Sequence, residues 1–260
     1  MSREGVLLEV AYDGTAFSGW ASQKEKRTVQ ETLRGAILEL DPRASDPRGA
    51  SRTDAGVHAE GQLVAFDSTR AIPARGWVLG LNQHLPEDLS VRVARAVPSD
   101  FQPRFASRGK RYRYRVLLDT VRDPHWRTRA WRVGGKISLD KLAREAKLIE
   151  GTHDFAGLRA GGDERKITVR TMRSVAIEHD EGGRIVSIVI EGNAFLYNMV
   201  RILVGTLMDV ARGRLDEGAI ARAIAEKDRR LAGTTAPAHG LTLEQVFVDV
   251  PEEAGAPWPP

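Results

Sequence analysis

Hydrophobic and polar positions alternate along some stretches of the chain and recur at helical spacing along others. "GVLLEVAYDG" (5–14) reads as a strand running into an Asp-Gly turn, and "LSVRVARAVP" (89–98) alternates as another. Between them, "TVQETLRGAILEL" (28–40) sets Val29, Leu33, Ala36, Ile37 and Leu40 on one helical face, with Thr28 and Glu31 spaced as a capping box. "RGAS" (48–51) and "GQLVAFDS" (61–68) read as two strands around a loop, and "PARGWVLGLNQHL" (73–85) as a helix opened by Pro73. The order β-α-β-β-α-β is ferredoxin-like.

The second half repeats the theme without repeating the sequence. "KRYRYRVLLD" (110–119) predicts a strand, and "LDKLAREAKLIEG" (139–151) a helix opened by Ser138 and closed by Gly151. A hairpin over 174–192 turns at "DEGG". Helices over 195–211 and 216–226 and a last strand, "LEQVFVDV" (243–250), complete it. The expected fold is α+β: two tandem ferredoxin-like halves, 1–104 and 105–250, sharing a mainly antiparallel sheet with a cleft between them, and a frayed tail over 251–260.

Composition narrows the chemistry. A chain of 260 residues can bury a sizeable core. With no cysteine, disulfides, thiolate nucleophiles and cysteine-held metal sites are excluded, and a reducing compartment is expected. The six histidines (58, 84, 125, 153, 179, 239) show no metal-binding spacing. The first residues hold no apolar run of signal-peptide length. The most apolar stretch, 194–211, is interrupted by Asn198, Arg201 and Asp209, which predicts a buried helix rather than a membrane span.

Charge is concentrated in one window. Residues 101–132 carry ten Lys/Arg against two acids, leaving 29 basic and 33 acidic residues elsewhere. Tyr112, Tyr114, Trp126 and Trp131 interleave with these cations. Cations with aromatics are the footprint of a nucleic-acid surface, and Arg108, Lys110 and Arg111 are its candidate phosphate contacts. A solvated, arginine-rich strand is the alternative. Tyr112 and Tyr114 share a strand face, which suits either base stacking or cross-strand packing.

The stretch "SRTDAGVHAEGQ" (51–62) sets Arg52 two residues before Asp54 and loosens the backbone at Gly56. It reads either as a surface turn with a local salt bridge or as an active-site loop working through Asp54. His58 beside it is a candidate for orienting a substrate, although a lone loop histidine is more often structural. Arg201 bears on the choice. A guanidinium cannot be neutralised at physiological pH, and one buried without a partner costs several kcal/mol. Either Asn198, Arg201 and Asp209 form a water-facing stripe, or Arg201 reaches a distant carboxylate, for which Asp54 is the best candidate.

The motif "SRTDAGVHA" closely resembles the catalytic motif of the tRNA pseudouridine synthase A family. "YDGTAFSGW" (12–20), "TVQETL" (28–33), "LGLNQHLPEDLSV" (79–91), "FQPRFASRGKRYRY" (101–114), "GTHDF" (151–155), "GNAFLYNMVRILVGTL" (192–207) and "TAPAHGLTLEQV" (235–246) follow in the family's order. The likeness spans roughly residues 5–250. Ser51 stands where the family commonly has Gly, and Ala21 where Gln is usual. The resemblance implies isomerisation of uridine to pseudouridine in the anticodon stem-loop of tRNA, at positions 38, 39 and 40. It also implies a homodimer without cofactor; the missing cysteines point to the cytoplasm, and the histidine spacing to no metal. By the same resemblance Asp54 is the nucleophile or base, Tyr112 stacks on the target base, and Arg201 is the ion-pair partner of Asp54. Arg52 contacts RNA or anchors the loop. A synthase of another RNA and a non-catalytic RNA-binding relative are the rival readings.

Overall fold

The structure, a computed structural model, describes residues 3–180 and 182–249. The end of the last expected strand at Val250 and the tail 251–260 lie outside the described residues. Two compact units form among the described residues, one from residues 3–108 with 243–249, the other from within 109–242.

In the first unit, β1 (Glu4–Tyr12), α1 (Val29–Leu40), β2 (Arg48–Gly49), β3 (His58–Ser68), α2 (Ala74–His84) and β4 (Leu89–Val97) keep the expected order. A four-residue α3 (Pro103–Ala106) follows. β1 lies between β4 and β3, antiparallel to both, and β2 pairs with β3. The helices follow from their sequences. The Thr28 hydroxyl accepts from the Glu31 amide, so half of the capping box forms. Glu31 itself turns away from Thr28 and accepts from Arg34 and Ser22. Trp77 of α2 meets Phe66 of β3 edge to face, with centroids 5.0 Å apart, and fastens the helix to the sheet.

The second unit holds β5 (Ser107–Leu118), β6 (Trp131–Val133), α4 (Leu139–Lys147), β7 (Gly151–Asp154), β8 (Val169–His179) and β9 (Ile185–Gly192). Two helices follow, α5 (Met199–Ala211) and α6 (Ala219–Glu226). Its strands run in the order β5-β9-β8-β7, each pair antiparallel, and β6 lies parallel to the end of β5. β10 (Leu241–Val248) follows α6 in sequence, yet from Leu243 onward it groups with the first unit, next to β3.

Three local differences from the sequence reading have physical causes. The helix expected over 139–151 ends at Lys147 because the next amides tighten: Leu148, Ile149 and Glu150 each bond the carbonyl three residues back. "GTHD", which has no alternation, is nevertheless a strand, held by the β8 ladder. The helix expected from 195 starts at Met199, because Asn198 sits in the left-handed region at φ 56°.

α5 is buried almost all round, and no water-facing stripe runs along it. Asp209 is 4% exposed, and its carboxylate accepts from the Thr234 amide at 2.9 Å. The segment 233–237 lies directly on the helix backbone. Gly233 donates to the Thr206 hydroxyl at 2.9 Å and Ala236 to the Arg201 carbonyl at 3.0 Å. Gly205 permits this approach, since a Cβ there would sit 1.7 Å from the Thr234 carbonyl oxygen. We predict that Gly205→Ala lowers stability by about 3 kcal/mol or more, through overpacking against backbone that cannot yield. Gly35→Ala, on α1 with nothing within 4 Å, is expected to raise stability slightly. Urea denaturation of the two variants checks both directions.

Candidate active site

The Asp54 loop, residues 50–57, is fixed from several sides within the first unit. The buried side chain of Gln62 bridges Ser51, accepting from its amide at 3.2 Å and donating to its carbonyl at 2.7 Å. Thr53 is bound through its hydroxyl to Tyr12 at 2.8 Å and through its carbonyl by the Trp20 amide at 3.0 Å. The Val57 amide closes a turn onto the Asp54 carbonyl at 3.1 Å. Gly56 has φ 79°, a conformation that a side chain would strain. The loop is thereby tied down on both sides of Asp54, at Thr53 and at Val57, while Asp54 stays half-buried and Arg52 exposed.

The seat beneath this loop is the segment 12–20. Gly14 packs so closely on the chain at Val57 that a Cβ would lie 2.1 Å from the Val57 carbonyl oxygen. The Gly14 amide donates to His58 Nδ1 at 3.0 Å. An amide can only donate, so Nδ1 accepts and the ring proton is assigned to Nε2. Asp13 Oδ1 lies 3.2 Å from the same nitrogen and accepts from the Thr15 amide and hydroxyl. His58 is 1% exposed, and the geometry makes it a prop for the loop. The substrate contact expected of His58 meets a ring already held beneath the backbone.

In the second unit, Tyr112 and Tyr114 share the buried face of β5. Tyr112 is 6% exposed and meets Phe195 edge to face at 5.0 Å. Tyr114 is fully buried and donates its hydroxyl to the Pro237 carbonyl at 2.7 Å. Burial pushes the Tyr114 phenol well above its usual range, and the nearby Arg201 charge pulls it partly back. The phenol therefore stays protonated and a donor. Arg201 is held by the same segment and by its own helix N-cap: Nε donates to the Ala236 carbonyl and Nη1 to Asn198 Oδ1, both at 2.8 Å. Thus Tyr114 and Arg201 grip adjacent carbonyls of one loop.

The remaining candidates are spread along β5. Arg111 pairs with Glu191 directly across the β5–β9 ladder at 3.0 Å, a half-exposed pair worth about 0–1 kcal/mol. Exposed Arg108 pairs with Asp249, and Lys110 is half-buried opposite Gly192. The basic face is therefore partly neutralised by acids of its own strands. The sequence reading placed 12–20, 192–207 and 235–246 among the family motifs but assigned no role to three features within or beside them: the seat 12–20, the Phe195 ring against Tyr112, and the segment 233–237. Closely spaced glycines and one glycine inside an apolar helix were the local signals of close backbone approach.

The first unit thus presents a half-exposed carboxylate on a pinned loop, and the second a guanidinium held by hydrogen bonds. A family model described as tRNA pseudouridine synthase matches residues 9–106 and 146–249. A tRNA pseudouridine synthase A of Acetivibrio thermocellus is 41% identical over 242 residues, covering 93% of this chain and 98% of its own. The proteins of the same name from Myxococcus xanthus and Geobacter sp. (strain M21) are 42% and 40% identical. They cover 92% and 93% of this chain, and 90% and 98% of their own. The chain belongs to the tRNA pseudouridine synthase family.

The clamp on the Arg201 loop yields a direct expectation. Tyr114→Phe keeps the ring but strips the Pro237 carbonyl of its donor, which costs about 1–2 kcal/mol. We expect a lower melting temperature and about a tenfold loss in kcat/KM as Arg201 loosens. Calorimetry and turnover on the same preparation check the two effects together.

Proposed function

We propose that this chain isomerises uridine to pseudouridine in the anticodon stem-loop of tRNA, with Asp54 as the catalytic carboxylate. The observation that carries the reading is the presentation of Asp54: neighbours tied on both sides, its own side chain half-open. The family match supports it, as does the basic, aromatic-rich window of β5 and the loop that follows.

The reaction breaks the N1–C1′ bond of the nucleotide, turns the uracil, joins C5 to C1′, and then releases the C5 proton to solvent while N1 takes one up. It needs no external energy and no redox partner. Cleavage builds positive charge at C1′, which a carboxylate stabilises or captures, as in glycoside chemistry. Uracil leaves as a stabilised anion, so no second carboxylate is required to protonate it. The target must first leave its stack, and an aromatic platform then holds it. In this reading Tyr112 is that platform, and Arg201 pairs with Asp54 and keeps it ionised. Arg52, exposed beside Asp54, contacts the RNA. Arg108, Lys110 and Arg111 supply backbone contacts. Arg111 must then exchange or share Glu191, so it contributes less than a lone arginine.

The homodimer and the cytoplasmic setting belong to the same proposal. They rest on the likeness to the family, and the setting also on the absence of cysteine. Among the described residues, no helix is long and apolar enough to cross a membrane.

Tritium release from tRNA carrying [5-³H]uridine tests the reading. Asp54→Ala is expected to release nothing above background while binding tRNA normally. Arg201→Met should lose at least a hundredfold in rate, and Arg201→Lys should recover part of it. Release by Asp54→Ala at the wild-type rate would remove Asp54 from the chemistry. An unaltered rate in Arg201→Met would remove Arg201.

A further inference from the structure

Beyond β5 the chain builds a pocket that the isomerisation does not use. Residues 119–133 fold back through a series of short bonds. Asp119 accepts from the Val121 amide, Asp123 caps His125, and the Ala130 amide reaches the Trp126 carbonyl. β6 then pairs with β5, with Trp131 opposite Val116. The result is a cavity of about 420 Å³, in the size range of small-ligand sites.

Its walls and mouth differ in character. Leu117 and Ala130 belong to a buried apolar cluster with Ile185, and the half-buried Trp126 packs against it. Trp131 supplies a second indole. Arg122, Arg127 and Arg132 also line the cavity, and all three are exposed. The acid among the lining residues, Asp123, is held by Arg184 at 3.1 Å, which offsets its charge. Indole walls with a cationic mouth suit a flat aromatic group that carries an anion. For a protein whose family acts on tRNA, that group is a nucleotide.

The pocket is also joined to the Arg201 clamp. Trp131 meets Tyr114 edge to face at 6.4 Å, and His239 is a further wall residue. Tyr114 holds Pro237, and Ala236 holds Arg201. A ligand against Trp131 and His239 would thus press on the loop that positions the guanidinium.

We propose that this pocket is a second RNA site, taking one unpaired nucleotide of the tRNA away from the target uridine. The base stacks on Trp126 and Trp131, and its phosphates meet Arg122 and Arg127. The proposal rests on the tRNA reading above, and charge complementarity selects this occupant. Stacking on aromatics and phosphate pairing are the two general sources of single-strand affinity.

The test uses the full chain and an unmodified tRNA transcript. Filter binding across a salt series compares wild type with the double variant Arg122→Ala/Arg127→Ala and with Trp126→Leu, which keeps apolar packing. We expect each variant to weaken binding about tenfold. The arginine variant should also flatten the salt dependence by a slope of roughly 1–2, about 0.9 per lost phosphate contact. A transcript substituted with 5-iodouridine should cross-link to a peptide containing Trp126 or Trp131. Unchanged affinity and slope, with no cross-link within 119–133, would overturn the site. So would a change in sedimentation of either variant, which would make the pocket a contact between copies of this chain. Tritium release by the wild type is read in parallel. Its absence, with pocket binding intact, sinks the isomerase reading alone; its presence, with binding unaffected by the variants, sinks the pocket alone.

Discussion

The carbonyl clamp on Arg201 is the constraint on which the second unit depends. A permanently charged group on a helix buried nearly all round requires acceptors, and the chain supplies the Ala236 carbonyl from a loop lying on the helix and the Asn198 side chain from the helix N-cap. That loop approaches only because Gly205 leaves room for the Thr234 carbonyl. It stays because the loop amides find partners on α5: the Thr206 hydroxyl, the Asp209 carboxylate and the Arg201 carbonyl. Tyr114 grips the adjacent carbonyl from the sheet side. Helix, loop and strand are tied through one short segment, so the orientation of Arg201 is set by packing rather than by solvent.

The first unit solves the opposite problem. Here a short loop must hold one acid still without burying it. Backbone contacts do this: Gly14 under Val57, the Trp20 amide on Thr53, and Gln62 across Ser51. These bonds run through backbone and neutral side chains, and the Asp54 side chain stays half-exposed. Such placement from a fixed backbone is what the proposed role of Asp54 calls for.

Much of this was legible in the sequence, for identifiable reasons. α1 and α2 carry their own periodicity and start signals, and β1 and β4 alternate over enough residues to be read alone. The Asp54 loop was recognisable as a motif, and Arg201 as a charge that its apolar neighbours could not explain. What was not legible depends on partners distant in sequence. A water-facing stripe stayed open as an alternative for Asp209 because its partner, the Thr234 amide, lies 25 residues on. β7 is a strand because β8 pairs with it, not because of its own pattern. The acceptor role of His58 toward the Gly14 amide, 44 residues back, likewise left no trace in the sequence. The last strand followed the second half in sequence but joined the first unit beside β3, since pairing rather than chain order decides a strand's place.

The central claim is that this chain makes pseudouridine from uridines of the tRNA anticodon arm. Site mapping on a single tRNA transcript, by carbodiimide adduct formation and primer extension, tests it most directly. The account predicts new stops at anticodon-arm uridines after incubation with the wild-type protein, and nowhere else in the molecule. Stops confined to another part of the tRNA, or none at all, would contradict it.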